Sequence, residues 1–231
     1  MALRIAAVCG ILSPVLSTIG WLVAGFVQPP GYDAVSEDIS DLGAHGAAHP
    51  WILNLVGSNM AGALAFVFAL GLLAALSGGG PACSAGPAIV AVFGAGEFVD
   101  GFLRLDCESR SARPACPGNE SWQQAGHVVE SVVTALAMLL APAVCGWCFR
   151  RRPHWARLAA YSFATTGLVL ALMAGYGGVA EWGDSSGAGV LQRLFATAGV
   201  LWIGVVAARL LALERASPTT RPRRAPPLEA A

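Results

Sequence analysis

The chain has 231 residues and a formal net charge of zero, with 55% hydrophobic and 12% charged residues, against roughly 25% charged in an average soluble domain. This excludes an ordinary soluble enzyme, because one core of this size cannot hide so much apolar surface and the excess would aggregate. It also excludes a disordered chain, a disulfide-dense miniprotein and a basic nucleic-acid binder, so the solvent has to be lipid.

A helix needs about 20 apolar residues to cross roughly 30 Å of hydrocarbon. Six stretches qualify: Ile5 to Val27, Trp51 to Leu76, Ala88 to Leu103, Ala125 to Phe149, Leu158 to Ala180 and Val190 to Leu213. The third is short and carries Glu97 and Asp100, but without it the flanking loops fall on contradictory sides. The first exceeds the about 7 to 15 apolar residues of a signal peptide and no small-residue cleavage site follows, so it is read as a span. The expected architecture is an all-α, six-helix transmembrane bundle over residues 1–213, followed by a disordered tail over 214–231.

Orientation follows the Arg residues beside the spans. Arg150, Arg151, Arg152 and Arg157 lie between spans four and five, and Arg209, Arg215, Arg221, Arg223 and Arg224 lie at or after the end of span six. Both chain ends are therefore expected to be cytoplasmic. The loop from Gln28 to Pro50 holds Asp33, Glu37, Asp38 and Asp41 without any Arg, as suits the outer side, whereas Arg104, Arg110 and Arg113 in the second outer loop count against this orientation. All 14 cationic residues are Arg, which we read as the codon bias of a GC-rich genome and hence a multi-pass protein of a bacterial inner membrane. Trp21, Trp51, Trp122 and Trp182 near the outer span ends suit an interfacial belt.

Of six cysteines, Cys107 and Cys116 share the second outer loop and are expected to form a disulfide. Cys9, Cys83, Cys145 and Cys148 fall in spans or on the inner side and are expected to be reduced. The Cys145-x-x-Cys148 pair has no second pair nearby and only His154 close in sequence, too few ligands for zinc. Asn119-Glu120-Ser121 matches the glycosylation pattern by chance.

An ionisable residue inside hydrocarbon is costly and is a functional candidate by default. Glu97 and Asp100 in span three, and His127 and Glu130 in span four, are each three apart and share a helix face. Glu97 lies about 10 Å below Arg104 and Glu130 about 12 Å below Trp122 at the helical rise, so the pairs sit at similar depth. Spans three and four are joined by a short loop and are expected to be antiparallel, with these faces turned toward each other. A carboxyl among apolar helices is a candidate proton donor, because the neutral acid is the form a nonpolar surrounding tolerates; His127 is the candidate base or partner. We take Glu97, Asp100, His127 and Glu130 as candidate catalytic residues. The structural alternative is that Asp100 pairs with Arg104 at i, i+4 and that His127 and Glu130 bridge helices by hydrogen bonds.

The first outer loop feeds the same region, and Asp41, His45, Asn54 and Ser58 are the candidate substrate-binding residues. A di-metal bundle site needs Glu-x-x-His twice with two further Glu. Here one His-x-x-Glu and one Glu-x-x-Asp occur, and His45 or His49 would have to complete the set, so no metal ligands are assigned. There is no phosphate loop, G-x-S-x-G elbow or H-E-x-x-H. Ser40 beside Asp41 suits a helix cap as well as a hydrolase, and Ser13 and Ser17 let helices approach closely.

Pro30-Gly31-Tyr32-Asp33, then Ile39-Ser40-Asp41-Leu42-Gly43-Ala44, then Trp51 and Asn54 opening a hydrophobic span, together resemble the bacterial and archaeal integral membrane proteins catalogued as domain of unknown function 998. An acidic third span, a polar loop and His127 at the outer start of span four continue the match. The Ile-Ser-Asp-x-Gly portion is also similar to a segment of the Frag1/DRAM membrane proteins. The resemblance implies a six-helix membrane fold and no settled activity. Two readings stand: a membrane enzyme whose outer-leaflet acid and His cavity acts on a lipid or isoprenoid, by acid-initiated cyclisation or by hydrolysis, and a non-enzymatic lipid- or ion-binding, transport or partner-stabilising protein. No inverted repeat favours transport. Membrane lipids are the expected partners and nucleic acid is not; no cofactor is named and a homo-oligomer is left open.

Overall fold

Why the spans are helical follows from the solvent: a backbone in hydrocarbon must satisfy every N–H and C=O within its own segment. The computed structural model describes residues 1–107, 121–181 and 186–216, and no strand occurs among them. The spans are α1 (Ala2–Phe26), a π-helical stretch (Ile52–Met60) running directly into α2 (Ala61–Ala75), α3 (Pro81–Asp100), α4 (Trp122–Phe149), α5 (Arg157–Glu181) and α6 (Ala188–Ala216). All six are long and apolar enough to cross a membrane. Residues 217–231, which make up most of the expected tail, lie outside the described residues, and so do Cys116, Asn119 and Trp182.

Five spans fall close to their expected bounds. The third starts at Pro81 rather than Ala88 and ends at Asp100 rather than Leu103. Pro81 sits at the first helical position, where its missing N–H is one the helix would leave unpaired anyway. Gly80 before it takes φ 88°, a left-handed conformation that glycine adopts without steric cost.

Each helix packs against its sequence neighbours and α6 closes onto α1, so the spans form a ring in chain order. The outward faces are apolar. On α4, Val128, Val129, Val132, Val133, Leu136 and Leu140 are exposed, while His127, Thr134, Met138, Ala141 and Cys145 are buried. This polar-inward arrangement inverts the pattern of a soluble helix and is what a lipid solvent selects. One half of the ring is filled by Phe68, Leu72, Val90, Phe149, Trp202 and Val206. Close approach needs small residues: a Cβ on Gly20 would lie 2.4 Å from the Gly57 Cα.

Both described chain ends meet at the filled end of the ring, where Arg4 Nη2 donates to the Glu214 carbonyl at 3.0 Å. Arg152 Nη2 donates to the carbonyls of Leu76 and Ser77, and Arg209 to that of His154, at the same end. This end also overturns one expectation. Cys83 and Cys148 are not reduced but joined in a disulfide, with Cα atoms 4.9 Å apart and 65 positions separating them in sequence. The antiparallel packing of α3 on α4 sets the start of one helix against the end of the other, a juxtaposition that local cysteine spacing does not show. Cys9 and Cys145 are free. The expected Cys107 to Cys116 bridge lies outside the described residues.

Candidate functional site

The other half of the ring encloses a cavity of about 330 Å³, at the lower end of the roughly 300 to 1,000 Å³ typical of small-molecule sites. Its walls come from every span. Phe93, Met138, Phe195 and Val200 make an apolar floor, and Ser58, Glu97, Asp100, His127, Glu130 and Thr134 make a polar side. The four candidate catalytic residues thus line one cavity.

α3 and α4 bring these groups together because Gly96 removes the side chain between them. A Cβ there would lie 1.9 Å from Thr134 Oγ1 and 2.9 Å from Glu130 Oε1. His127 Nδ1 lies 3.0 Å from Asp100 Oδ1 and 3.0 Å from the Leu103 carbonyl. Its Nε2 is 3.4 Å from Ser131 Oγ, one turn along α4. Asp100 Oδ2 accepts from Ser58 Oγ at 2.9 Å, and the Thr134 hydroxyl donates to Glu130. Asp100 therefore takes Ser58 and His127 as partners, across helices, rather than the Arg104 of the structural alternative. One carboxylate oxygen each from Asp100 and Glu130 and one ring nitrogen of His127 all lie within 4.8 Å of one another. Two ionised carboxylates about 4 Å apart repel by about 4 kcal/mol at an effective dielectric of about 20, so a proton shared between them, a protonated imidazole or another cation relieves the pair.

Of the candidate substrate-binding residues, Ser58 lies on the cavity wall. Asn54 Nδ2 donates to the Gly43 carbonyl at 3.0 Å, and Asp41 Oδ2 accepts from the Asp38 backbone N–H at 3.0 Å, so both hold the first loop in shape. His45 is exposed and lies 3.3 Å from Gln123 Oε1. His49 is exposed at φ 52°. Neither histidine belongs to the Asp100, His127 and Glu130 group.

The loop itself folds inward. Glu37, Asp38 and Asp41 are all buried, although composition alone places them in an outer, solvated loop. The reason is Arg193 of α6, itself buried, whose Nη1 donates to the carbonyls of Glu37 at 2.7 Å and Gly189 at 2.9 Å, and whose Nη2 donates to the Tyr32 hydroxyl. Tyr176 of α5 donates to Asp38 Oδ2 at 2.9 Å, and Gln192 Oε1 accepts from the Ile39 N–H at 2.5 Å. The loop is thereby strapped over the cavity, with Ile39 and Ser40 on its wall. Trp21 joins that wall too, its ring 5.7 Å from the Arg193 guanidinium, while Trp51 and Trp122 are exposed as an interfacial belt requires. The residues that sequence reasoning missed are Arg193, Tyr176 and Gln192. The rule that marks an ionisable residue inside a span as a candidate applies equally to Arg193; nothing in the sequence points to Tyr176 or Gln192.

Three loop groups have shifted protonation, among them Asp33, held below its usual 3.8 by hydrogen bonds from the Ser36 hydroxyl and the Val35 N–H. Burial pushes the Tyr32 phenol above its usual 10.0, partly offset by the Arg193 charge. Ser121 holds Asp106 below its usual 3.8, with the Ser121 hydroxyl at 2.7 Å and its N–H at 2.8 Å from the carboxylate. Ser121 in turn caps α4 by accepting from the Gln124 N–H at 3.2 Å.

Among known proteins, the family described as protein of unknown function (DUF998) matches residues 11–209. No curated protein and no solved structure matches the chain.

Proposed function

The chain belongs to the DUF998 family, whose description carries no reaction, so the function is read from the site, and we propose that the protein is an intramembrane enzyme that hydrolyses a lipid. The observation that carries this reading is the convergence of Asp100, His127 and Glu130 within 4.8 Å on one wall of a cavity whose floor is apolar. The lipid enters sideways between helices, its chain along Phe93, Met138, Phe195 and Val200 and its ester or phosphoester bond at the acids. Water attacks the carbonyl carbon or phosphorus, its proton passes to the Asp100, His127 and Glu130 centre, and the bond to the leaving oxygen breaks as that oxygen takes a proton from Glu97. Four aromatic rings on the walls, those of Trp21, Phe93, Tyr176 and Phe195, favour a second reading, acid-initiated isoprenoid cyclisation, because aromatic faces stabilise cations.

The test is mass spectrometry of total lipid from membranes carrying wild type, Glu97→Gln, Asp100→Asn or Glu130→Gln, with folding checked by thermal melting. A product class that appears with wild type and falls at least tenfold in each variant is the expected result, since a positioned acid or base contributes about 10²- to 10⁴-fold. Cyclic isoprenoids in place of cleaved lipids select the second reading. Lipid pools unchanged by folded wild type overturn both.

A further inference from the structure

Two carboxylates, Asp100 and Glu130, meet one imidazole in this cavity beside the Glu97 acid that serves as proton donor, and among the described residues no Arg or Lys lines it. The nearest buried guanidinium of the strap, on Arg193, is committed to the Glu37 and Gly189 carbonyls and to Tyr32. A centre with this sign of charge, held out of water, calls for a cation.

The donor set says which kind. Two carboxylate oxygens and one imidazole nitrogen within 4.8 Å of one another are the nitrogen and oxygen ligands that first-row divalent ions take. An ion with bonds of about 2.0 to 2.1 Å holds tetrahedral ligands about 3.3 Å apart, so the three groups need to close by no more than about 1.5 Å to reach it. Each candidate ligand is also oriented by a second residue. Asp100 accepts from Ser58 at 2.9 Å, Glu130 accepts from Thr134, and His127 Nδ1 lies 3.0 Å from the Leu103 carbonyl. Such outer partners are what fix the ring and the carboxylates of a metal-ligating set.

We propose that Asp100, His127 and Glu130 bind one divalent transition-metal ion of the zinc type. The assignment deepens the hydrolase reading and rests on it for its purpose: three protein ligands leave a coordination position open toward the cavity, the arrangement of catalytic rather than structural zinc sites. Sequence spacing alone does not give it, because the ligands come from two helices and the two carboxylates are thirty positions apart.

The test uses the full chain, purified in detergent without a polyhistidine tag and dialysed against micromolar Zn²⁺. Wild type is expected to retain one equivalent by elemental analysis, and Co²⁺ in its place should give the visible absorption of a four-coordinate nitrogen and oxygen site. Asp100→Asn, His127→Ala and Glu130→Gln should each weaken retention at least tenfold, whereas His45→Ala should leave it unchanged. Wild type that binds neither ion overturns the proposal without recourse to any variant, and retention equal in wild type and His127→Ala overturns it as adventitious binding. Lipid turnover that persists in chelator-treated, metal-free protein removes the ion and keeps the hydrolase. One bound equivalent with no lipid turnover keeps the ion and removes the hydrolase.

Discussion

Arg193→Met keeps an apolar stem of similar length and deletes the guanidinium that holds the Glu37 and Gly189 carbonyls and the Tyr32 hydroxyl. Removing a buried charge that serves several acceptors costs about 3 kcal/mol, so thermal melting in detergent should drop by several degrees and the first loop should gain hydrogen exchange. Unchanged melting would show that the strap does not depend on Arg193. Loop protonation gives a second expectation. Asp106 is held below 3.8, so its contribution is complete above that pH and fades as pH falls through its lower folded value. Tyr32 is held above 10.0, so its contribution is complete below pH 10.0 and fades as pH rises toward its higher folded value. Exchange protection at Trp122 to Gln124, corrected for intrinsic rates, should fall with acid in wild type, and in Asp106→Ala it should start low and lose that pH dependence. At this scale the acids and His127 were legible because an ionisable group in hydrocarbon needs a reason. Ser58 was legible as a binding candidate but not as the partner of Asp100, and Thr134 and the Leu103 carbonyl were not legible at all, since threonine and backbone groups are common in spans and only the packed structure shows which ones meet the cluster.

Helix contacts make sharper demands than the spans themselves. Gly96→Ala would set a Cβ 1.9 Å from Thr134 Oγ1, forcing α3 and α4 apart at a cost of about 1 to 3 kcal/mol and loosening the acid cluster. Gly167→Ala, on α5 with nothing within 4 Å, is the control and should be neutral. Melting of both variants checks the contrast. Deleting the Cys83 to Cys148 bond, which closes 65 residues, should cost about 2 to 4 kcal/mol. Both cysteines are 1% exposed, so glutathione should leave the bond intact in folded protein and break it only after denaturation, as alkylation and mass spectrometry would show. The spans were readable from apolar length. The bond was not, because it depends on which helix ends meet, and the π-helical Ile52–Met60, with Asn54, Ser58 and Asn59 among its nine residues, carries no spacing that marks its widened turns, which show only in the backbone.

Over the whole molecule, apolar length and charge gave six spans with both ends together, and the structure adds that the ring closes α6 onto α1. That closure needs contacts between the first and last spans, which no local pattern encodes. The Arg-rich end, with Arg4, Arg152 and Arg209, should face the cytoplasm. A reporter cysteine at Asp33 should then label from outside and one at Arg151 should not; the reverse pattern would invert the topology. The covalent bond between α3 and α4 carries a mechanical consequence. It lies about 26 Å along α3 from Asp100 at the helical rise. The two helices therefore work as tweezers with a fixed fulcrum, so a slight pivot at the joined ends is magnified where the tips grip the acids.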